Sequence, residues 1–222
     1  MKKAIILLSG GMDSLTCLAE AINNNYQPFC LFADYEQKTL KKEYSCFQQI
    51  CDFYKIPDQQ RRVVQLAFLK DLGGSSLTDT SIEVKHHSDS NKQKPLSYVP
   101  FRNTHLISCA VSWAEIIQAD SIFVGANELD APGYPDCRPA YYDAFNQLIN
   151  LGSNTPQLKI KTPIISLKKT EIIQKAIELE APLGLSWSCY KKNEEPCGVC
   201  DSCYLREKGF QTLGIPDPVQ KG

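Results

Sequence analysis

The sequence predicts an α/β protein: a doubly wound, mostly parallel sheet followed by a small C-terminal zinc-binding lobe. Three observations predict it. Short apolar runs alternate with amphipathic helical stretches from residue 3 to residue 180, the rhythm of a parallel sheet covered on both faces. The first apolar run breaks into Ser9-Gly10-Gly11 and opens directly into a helical pattern. Four cysteines then crowd into 189–203, where the alternation has ended.

Taken in order, residues 3–8 are an apolar run stopped by glycine, as in a strand buried on both sides. Asp13 to Asn24 carries Leu15, Leu18, Ala19 and Ile22 at helical spacing. Pro28 to Ala33 reads as a second strand, and Leu40 to Tyr54 as a helix with Tyr44, Phe47, Ile50, Cys51 and Tyr54 on one face. Arg62 to Leu66 is the third strand. Residues 73–97 interrupt the rhythm with Gly, Ser, Asp, Asn and Lys, a composition that suits either a mobile lid or a disordered loop. Helices at 103–117, 138–151 and 168–180 and strands at 121–124 and 158–162 complete the body. The expected division is an ATP-binding α/β domain over 1–185 and a four-cysteine lobe over 186–222.

Composition narrows the class. Of 222 residues, 43% are hydrophobic and 22% charged, which suits a globular chain able to bury a full core. The net charge is −1, from 24 basic and 25 acidic residues, so a generic nucleic-acid sleeve is disfavoured. No run approaches the roughly 20 apolar residues of a membrane span. A signal peptide would continue past Leu8, where this chain turns polar. The expected location is cytoplasmic, and there the ten cysteines read as thiols or metal ligands before disulfides.

Strand, then Ser9-Gly10-Gly11-Met12-Asp13-Ser14, then helix is a phosphate-binding arrangement. The glycines allow backbone angles closed to other residues and let phosphate oxygens reach the main chain. Free N–H groups and the positive dipole end of the helix favour an anion. Ser9 and Ser14 add hydroxyls, while Asp13 either caps the helix or helps hold Mg²⁺. Residues Leu8 to Leu18, including Leu15, Thr16 and Cys17, form the candidate ATP-binding stretch. No lysine follows the glycines, so this is not the GxxxxGK[ST] loop.

Cys189, Cys197, Cys200 and Cys203 are spaced C-x7-C-x2-C-x2-C. Four thiolates complete a tetrahedral zinc site with no open position, so the ion is expected to be structural; Gly198 suits the turn between two ligands. Cys137 stands apart from the remaining cysteines, inside the polar Gly133-Tyr134-Pro135-Asp136-Cys137-Arg138-Pro139 segment, where a thiol nucleophile is one reading. Arg102, before a helix, can grip phosphate or carboxylate. Asp130 and Asp136 flank a loop beyond the strand at 121–124, where open α/β sheets bind ligands. Lys168 or Lys169 either meets phosphates or starts a solvated helix. His86 and His87 are expected to be exposed, and His105 to be structural.

The SGGMDS loop resembles that of the PP-loop ATP pyrophosphatase superfamily, whose members cleave ATP between the α- and β-phosphates. Adding YVPFRN at 98–103, GANELD at 125–130, GYPDCRP at 133–139 and SCY…CGVCDSC at 188–203, the chain resembles the 7-cyano-7-deazaguanine synthase family nearly end to end. That resemblance implies ATP-dependent conversion of 7-carboxy-7-deazaguanine and ammonia to the nitrile, with AMP leaving after two activations. It implies that Ser9, Gly10, Gly11, Asp13 and Ser14 hold ATP and Mg²⁺, and that Arg102, Asp130 and Asp136 orient phosphate and the guanine-like edge. A homodimer is the family's expectation. Only eight residues precede the loop, which leaves no room for an N-terminal glutaminase and points to free ammonia. An RNA-modifying thiolase would predict a basic face and an RNA-binding extension, and a zinc-stabilised nucleotide-binding module would predict ATP binding without AMP release.

Overall fold

A computed structural model describes residues 1–87, 95–129 and 133–219. Five strands form one sheet: β1 (Lys2–Leu7), β2 (Tyr26–Asp34), β3 (Arg61–Gln65), β4 (Ser121–Val124) and β5 (Lys159–Lys161). The sheet order is β3-β2-β1-β4-β5, and every pairing is parallel. Seven α-helices accompany it among the described residues: α1 (Met12–Asn23), α2 (Leu40–Phe53), α3 (Phe68–Asp71), α4 (Arg102–Ile117), α5 (Pro139–Gly152), α6 (Lys169–Glu178) and α7 (Asp201–Thr212). The expected doubly wound parallel sheet is present, with all five expected strands.

Alternation along each strand divides the core. Ala4, Ile6, Cys30, Phe32 and Phe123 face α1, α2, α6 and α7 through Leu15, Leu18, Phe47, Ile172 and Phe210. Ile5, Leu31, Ile122 and Val124 point the other way, onto Ile107, Trp113 and Phe145 of α4 and α5. Successive strand side chains point to opposite faces, so a strand apolar at every position is buried on both. Each large side chain so enclosed contributes roughly 1.5–3 kcal/mol of transfer free energy.

The chain winds outward from β1 through β2 to β3, then returns to place β4 on the other side of β1. That reversal opens a crevice at the carboxyl ends of β1 and β4, the usual ligand position in such sheets. No helix among the described residues is long and apolar enough to cross a membrane.

One segment departs from the sequence reading. Residues 73–87 of the polar interruption are packed: Ser75, Ser76, Leu77, Thr78 and Val84 are buried. Ser76 N–H donates to Leu96 O and Lys38 N–H to Leu77 O. Short side chains and local hydrogen bonds replace the apolar periodicity that would have announced this order. The segment from Ser186 onward is stitched into the body. Trp187 N–H donates to Gly10 O at 2.9 Å, and Lys42 N–H donates to Asn193 Oδ1 at 3.3 Å. α7 packs on α6, where Gly209 leaves room: a Cβ there would lie 2.6 Å from Ile173 Cδ1.

Candidate active site

A cavity of about 570 Å³ opens at the carboxyl ends of β1, β2 and β4. Its floor is the loop after β1, contributed by Leu8, Ser9, Gly11, Met12, Asp13 and Ser14. Gly10 adopts φ +79°, and a Cβ there would stand 2.5 Å from Glu43 O. Gly125, at the end of β4, would place a Cβ 2.8 Å from Ser14 N. The loop is thus clamped between α2 and β4, backbone against backbone, and only glycine fits at either position. Gly11 has φ −82°, so its backbone angle is open to any residue; it matters as a half-buried edge of the cavity.

Within the loop, Ser14 Oγ donates to Gly11 O at 2.9 Å and accepts from Ser9 N–H at 3.2 Å. Its hydroxyl shapes the turn that presents the first N–H groups of α1. Asp13 is not the cap: Gly11 is the N-cap of α1, with no side-chain cap bond, and the Asp13 carboxylate pairs with Lys169 Nζ at 2.9 Å. Lys169, the first residue of α6, therefore lines the cavity, while Lys168 N–H donates to Glu171 Oε2 as a helix start. Of the expected ATP-binding stretch, Leu15, Cys17 and Leu18 lie in the core, and Thr16 Oγ1 bonds its own helix at Met12 O. These four back the loop and do not line the cavity, because α1 turns their side chains into the sheet.

Arg102 enters the cavity as the first residue of α4. Phe101, which precedes it, is held at φ +60°, a left-handed conformation costly for a bulky residue, with its N–H donated to Tyr98 OH. Arg102 Nη1 donates to Tyr35 OH at 3.1 Å, and Nε is buried without a partner. Burial pushes the Tyr35 and Tyr134 hydroxyls up, against the opposing pull of Arg102.

Asp136 is 3% exposed and stands behind the cavity wall. Its Oδ2 accepts from Asn103 N–H at 3.4 Å, its carbonyl accepts from Asn103 Nδ2 and Tyr142 OH, and Oδ1 has no partner. Cys137 lines the cavity, and burial pushes its thiol up to about 11, so it stays protonated at neutral pH. Arg138 points outward and donates to Pro135 O. Asp130 lies outside the described residues.

The sequence reading missed a wall after β2: Tyr35, Gln37, Thr39 and Glu43. The Glu43 carboxylate accepts from Gln37 Nε2 at 2.8 Å and from Thr39 Oγ1 at 2.5 Å, and burial raises its pKa despite them. Position alone could have found it, since the loop leaving the second parallel strand borders the same crevice. Asn127, read with the loop after β4, is a strut: its Nδ2 donates to Ile164 O and Leu167 O.

The four cysteines converge, their sulfurs all within 4.8 Å of one another. Thiolate–zinc bonds of about 2.3 Å put tetrahedral sulfurs ~3.8 Å apart, so a small contraction closes the site around an ion. Backbone N–H groups of Lys191, Lys192 and Cys197 point at Cys189 Sγ, and Cys200 N–H at Cys197 Sγ. Hydrogen bonds from Cys200 and Cys203 hold the Cys189 thiol below the usual cysteine range. Gly198 takes φ +71° between two of the cysteines. Donor set, spacing and thiolate-stabilising N–H groups all fit zinc.

Comparison with known proteins agrees with this geometry. The model of the family "Queuosine biosynthesis protein QueC" matches residues 3–214. A 7-cyano-7-deazaguanine synthase of Chlorobium chlorochromatii (strain CaD3) is 49% identical over 218 residues, covering 98% of this chain and 95% of the relative. Those of Chloroherpeton thalassium and Chlorobaculum parvum are 48% and 47% identical over 219 residues, covering 98% of this chain and 96% of each relative. This chain belongs to the QueC family of queuosine biosynthesis proteins.

Proposed function

We propose that this chain is an ATP-dependent carbon–nitrogen ligase, making 7-cyano-7-deazaguanine from 7-carboxy-7-deazaguanine and ammonia. The observation that carries the reading is the family match over 3–214, joined to a cavity floored by the Ser9–Ser14 loop. In the first activation, a carboxylate oxygen attacks the α-phosphate of ATP and diphosphate leaves. Ammonia adds to the acyl carbon, AMP departs with that oxygen, and a proton is lost to give the amide. In the second, the amide oxygen takes the adenylyl group from another ATP. Loss of both N–H protons and of AMP then forms the carbon–nitrogen triple bond.

The chain's own groups have distinct tasks in this scheme. The N–H groups around Gly11 and Ser14 receive ATP phosphates, and Asp13 with Lys169 sets the charge beside them and the place for Mg²⁺. Arg102, with an unsatisfied Nε, meets an anionic group of the substrate. Asp136 acts through Asn103 to fix the start of α4, and Asp130 is assigned to the guanine-like edge. Cys189, Cys197, Cys200 and Cys203 hold a structural zinc ion, which supplies no chemistry to the reaction. The division into 1–185 and 186–222 is one of composition and metal ligation. We place the enzyme in the cytoplasm as a homodimer that binds small molecules and not nucleic acid.

The test is incubation with ATP, ammonium and 7-carboxy-7-deazaguanine, followed by mass spectrometry and AMP assay. The expected result is a product lighter than the amide by one water, with two AMP formed per nitrile. Accumulation of the amide alone, or absence of AMP, refutes the reading.

A further inference from the structure

Residues 83–87 cross the cysteine knuckle and roof the cavity at the same time. His87 N–H donates to Val199 O at 2.8 Å, between two of the cysteines, and His87 Nδ1 bonds Asp201 Oδ1 at 2.8 Å. The imidazole lies flat on Tyr204, with centroids 3.9 Å apart and planes 14° from parallel. Val84 is buried in one apolar cluster with Cys189, Cys200 and Cys203, and Glu83 pairs with Lys191 at 3.1 Å. Val84, Lys85 and His87 also line the cavity. On its other flank the same lobe holds the cavity floor, through Trp187 N–H to Gly10 O.

We infer that the metal-bound knuckle is the post on which the roof of the active cavity is mounted, with His87 as the positioning residue that docks 83–87 onto it. The inference rests on reading the cysteines as a zinc site and the cavity as the catalytic one. Metal ligation supplies the order of a cysteine knuckle, so losing the ion releases Val199 O and Asp201 from their places. The roof then loses its partners on that side. Coupling of this kind is reciprocal: ligands that bind under a docked roof favour the ordered knuckle and slow loss of the ion.

The experiment follows zinc release from the purified full-length protein to a chromogenic chelator. It is run with and without α,β-methylene ATP, which cannot be cleaved between those phosphates, plus 7-carboxy-7-deazaguanine. Ligand binding is checked by calorimetry, and zinc content is measured first. Absence of stoichiometric zinc overturns the metal reading and this inference with it, whereas failure of the ligands to bind overturns the catalytic reading.

With zinc present and ligands bound, wild-type release is expected to slow by roughly fivefold or more. His87→Ala is expected to release zinc faster and to lose most of the ligand effect. His87→Gln, which can still hydrogen-bond Asp201 but cannot stack, falls between. In parallel, amides 84–87 are expected to exchange faster after chelation while those of Ala4 to Leu7 stay protected. If chelation also exposes Ala4 to Leu7, the His87→Ala arm on zinc-loaded protein decides. Ligand-independent release in wild type, or His87→Ala identical to wild type in both conditions, overturns the inference.

Discussion

Lys169 Nζ lies 2.9 Å from Oδ1 and 3.1 Å from Oδ2 of Asp13, joining the start of α6 to the first turn of α1 across 156 residues of chain. The pair places a cation and an anion together at the edge of the Ser9–Ser14 loop, inside the cavity. Asp13→Ala is therefore expected to abolish AMP release while leaving zinc content unchanged. Lys169→Met is expected to lower kcat/KM by roughly 100-fold or more, the scale of one preorganised electrostatic contact. Both side chains keep some solvent access, so the stability loss should stay near ~1 kcal/mol. AMP assays and thermal melts on the same preparations separate the two effects.

Gly125→Ala tests the clamp on the loop. Its Cβ would press on Ser14 N at 2.8 Å and on Asp13 C at 2.9 Å, backbone atoms that cannot rotate away. A loss of about 1–3 kcal/mol is expected, with ATP turnover reduced at least ~10-fold because the loop itself must shift. Gly152→Ala, with nothing within 4 Å of its Cβ, is the control and should stay within about 0.5 kcal/mol of wild type. Equal behaviour of the two variants would refute the clamp.

Arg206 is 5% exposed and donates to both Asp217 oxygens, to Ser186 and Ser188 Oγ, and to Leu183 O. Arg206→Met strands the Asp217 carboxylate, and a loss of about 3–5 kcal/mol in urea unfolding is expected. The double variant Arg206→Met/Asp217→Asn should recover part of it. An additive double variant would mean that the two residues are not coupled.

Glu43 gives the fold a pH dependence. Burial raises its folded-state pKa, so the native state holds this proton more tightly than the unfolded chain does. The associated stability is fully present below the unfolded carboxyl pKa, near ~4.3, and is lost as pH rises through the raised folded value. Glu43→Gln removes the titrating group. Its stability relative to wild type should increase as pH rises from about 4 toward 7, by about 1.4 kcal/mol for every tenfold by which folding tightens the carboxyl's hold on its proton. A pH-independent difference between the two proteins would rule this out.

Cys137 is expected to be silent as a nucleophile. With its thiol pushed up to about 11 by burial, iodoacetamide at neutral pH should leave it unlabelled in the folded protein. Cys137→Ser should retain activity within about 10-fold, the modest cost of a small core change. A loss comparable to removing a covalent nucleophile would restore the thiol to the mechanism.

Apart from α3 and α7, the order of strands and helices, the glycine loop after β1 and the cysteine knuckle were legible in the amino-acid sequence. Each is written in contiguous residues whose pattern has a local physical meaning: apolar periodicity, glycine at a turn, thiols at ligand spacing. Gly10 could be read because its left-handed backbone is a local demand. The need for Gly125 could not, because what it avoids is Ser14, more than a hundred residues earlier. Only folding turns Asp13 toward Lys169 and away from its own helix end, and brings Glu43 and Tyr35 into the cavity. It likewise sets Asp136 behind the wall and lifts His87 out of a polar loop onto Tyr204. Those outcomes depend on which distant segments the parallel sheet brings to one edge, and burial there raises the pKa values of Glu43 and Cys137.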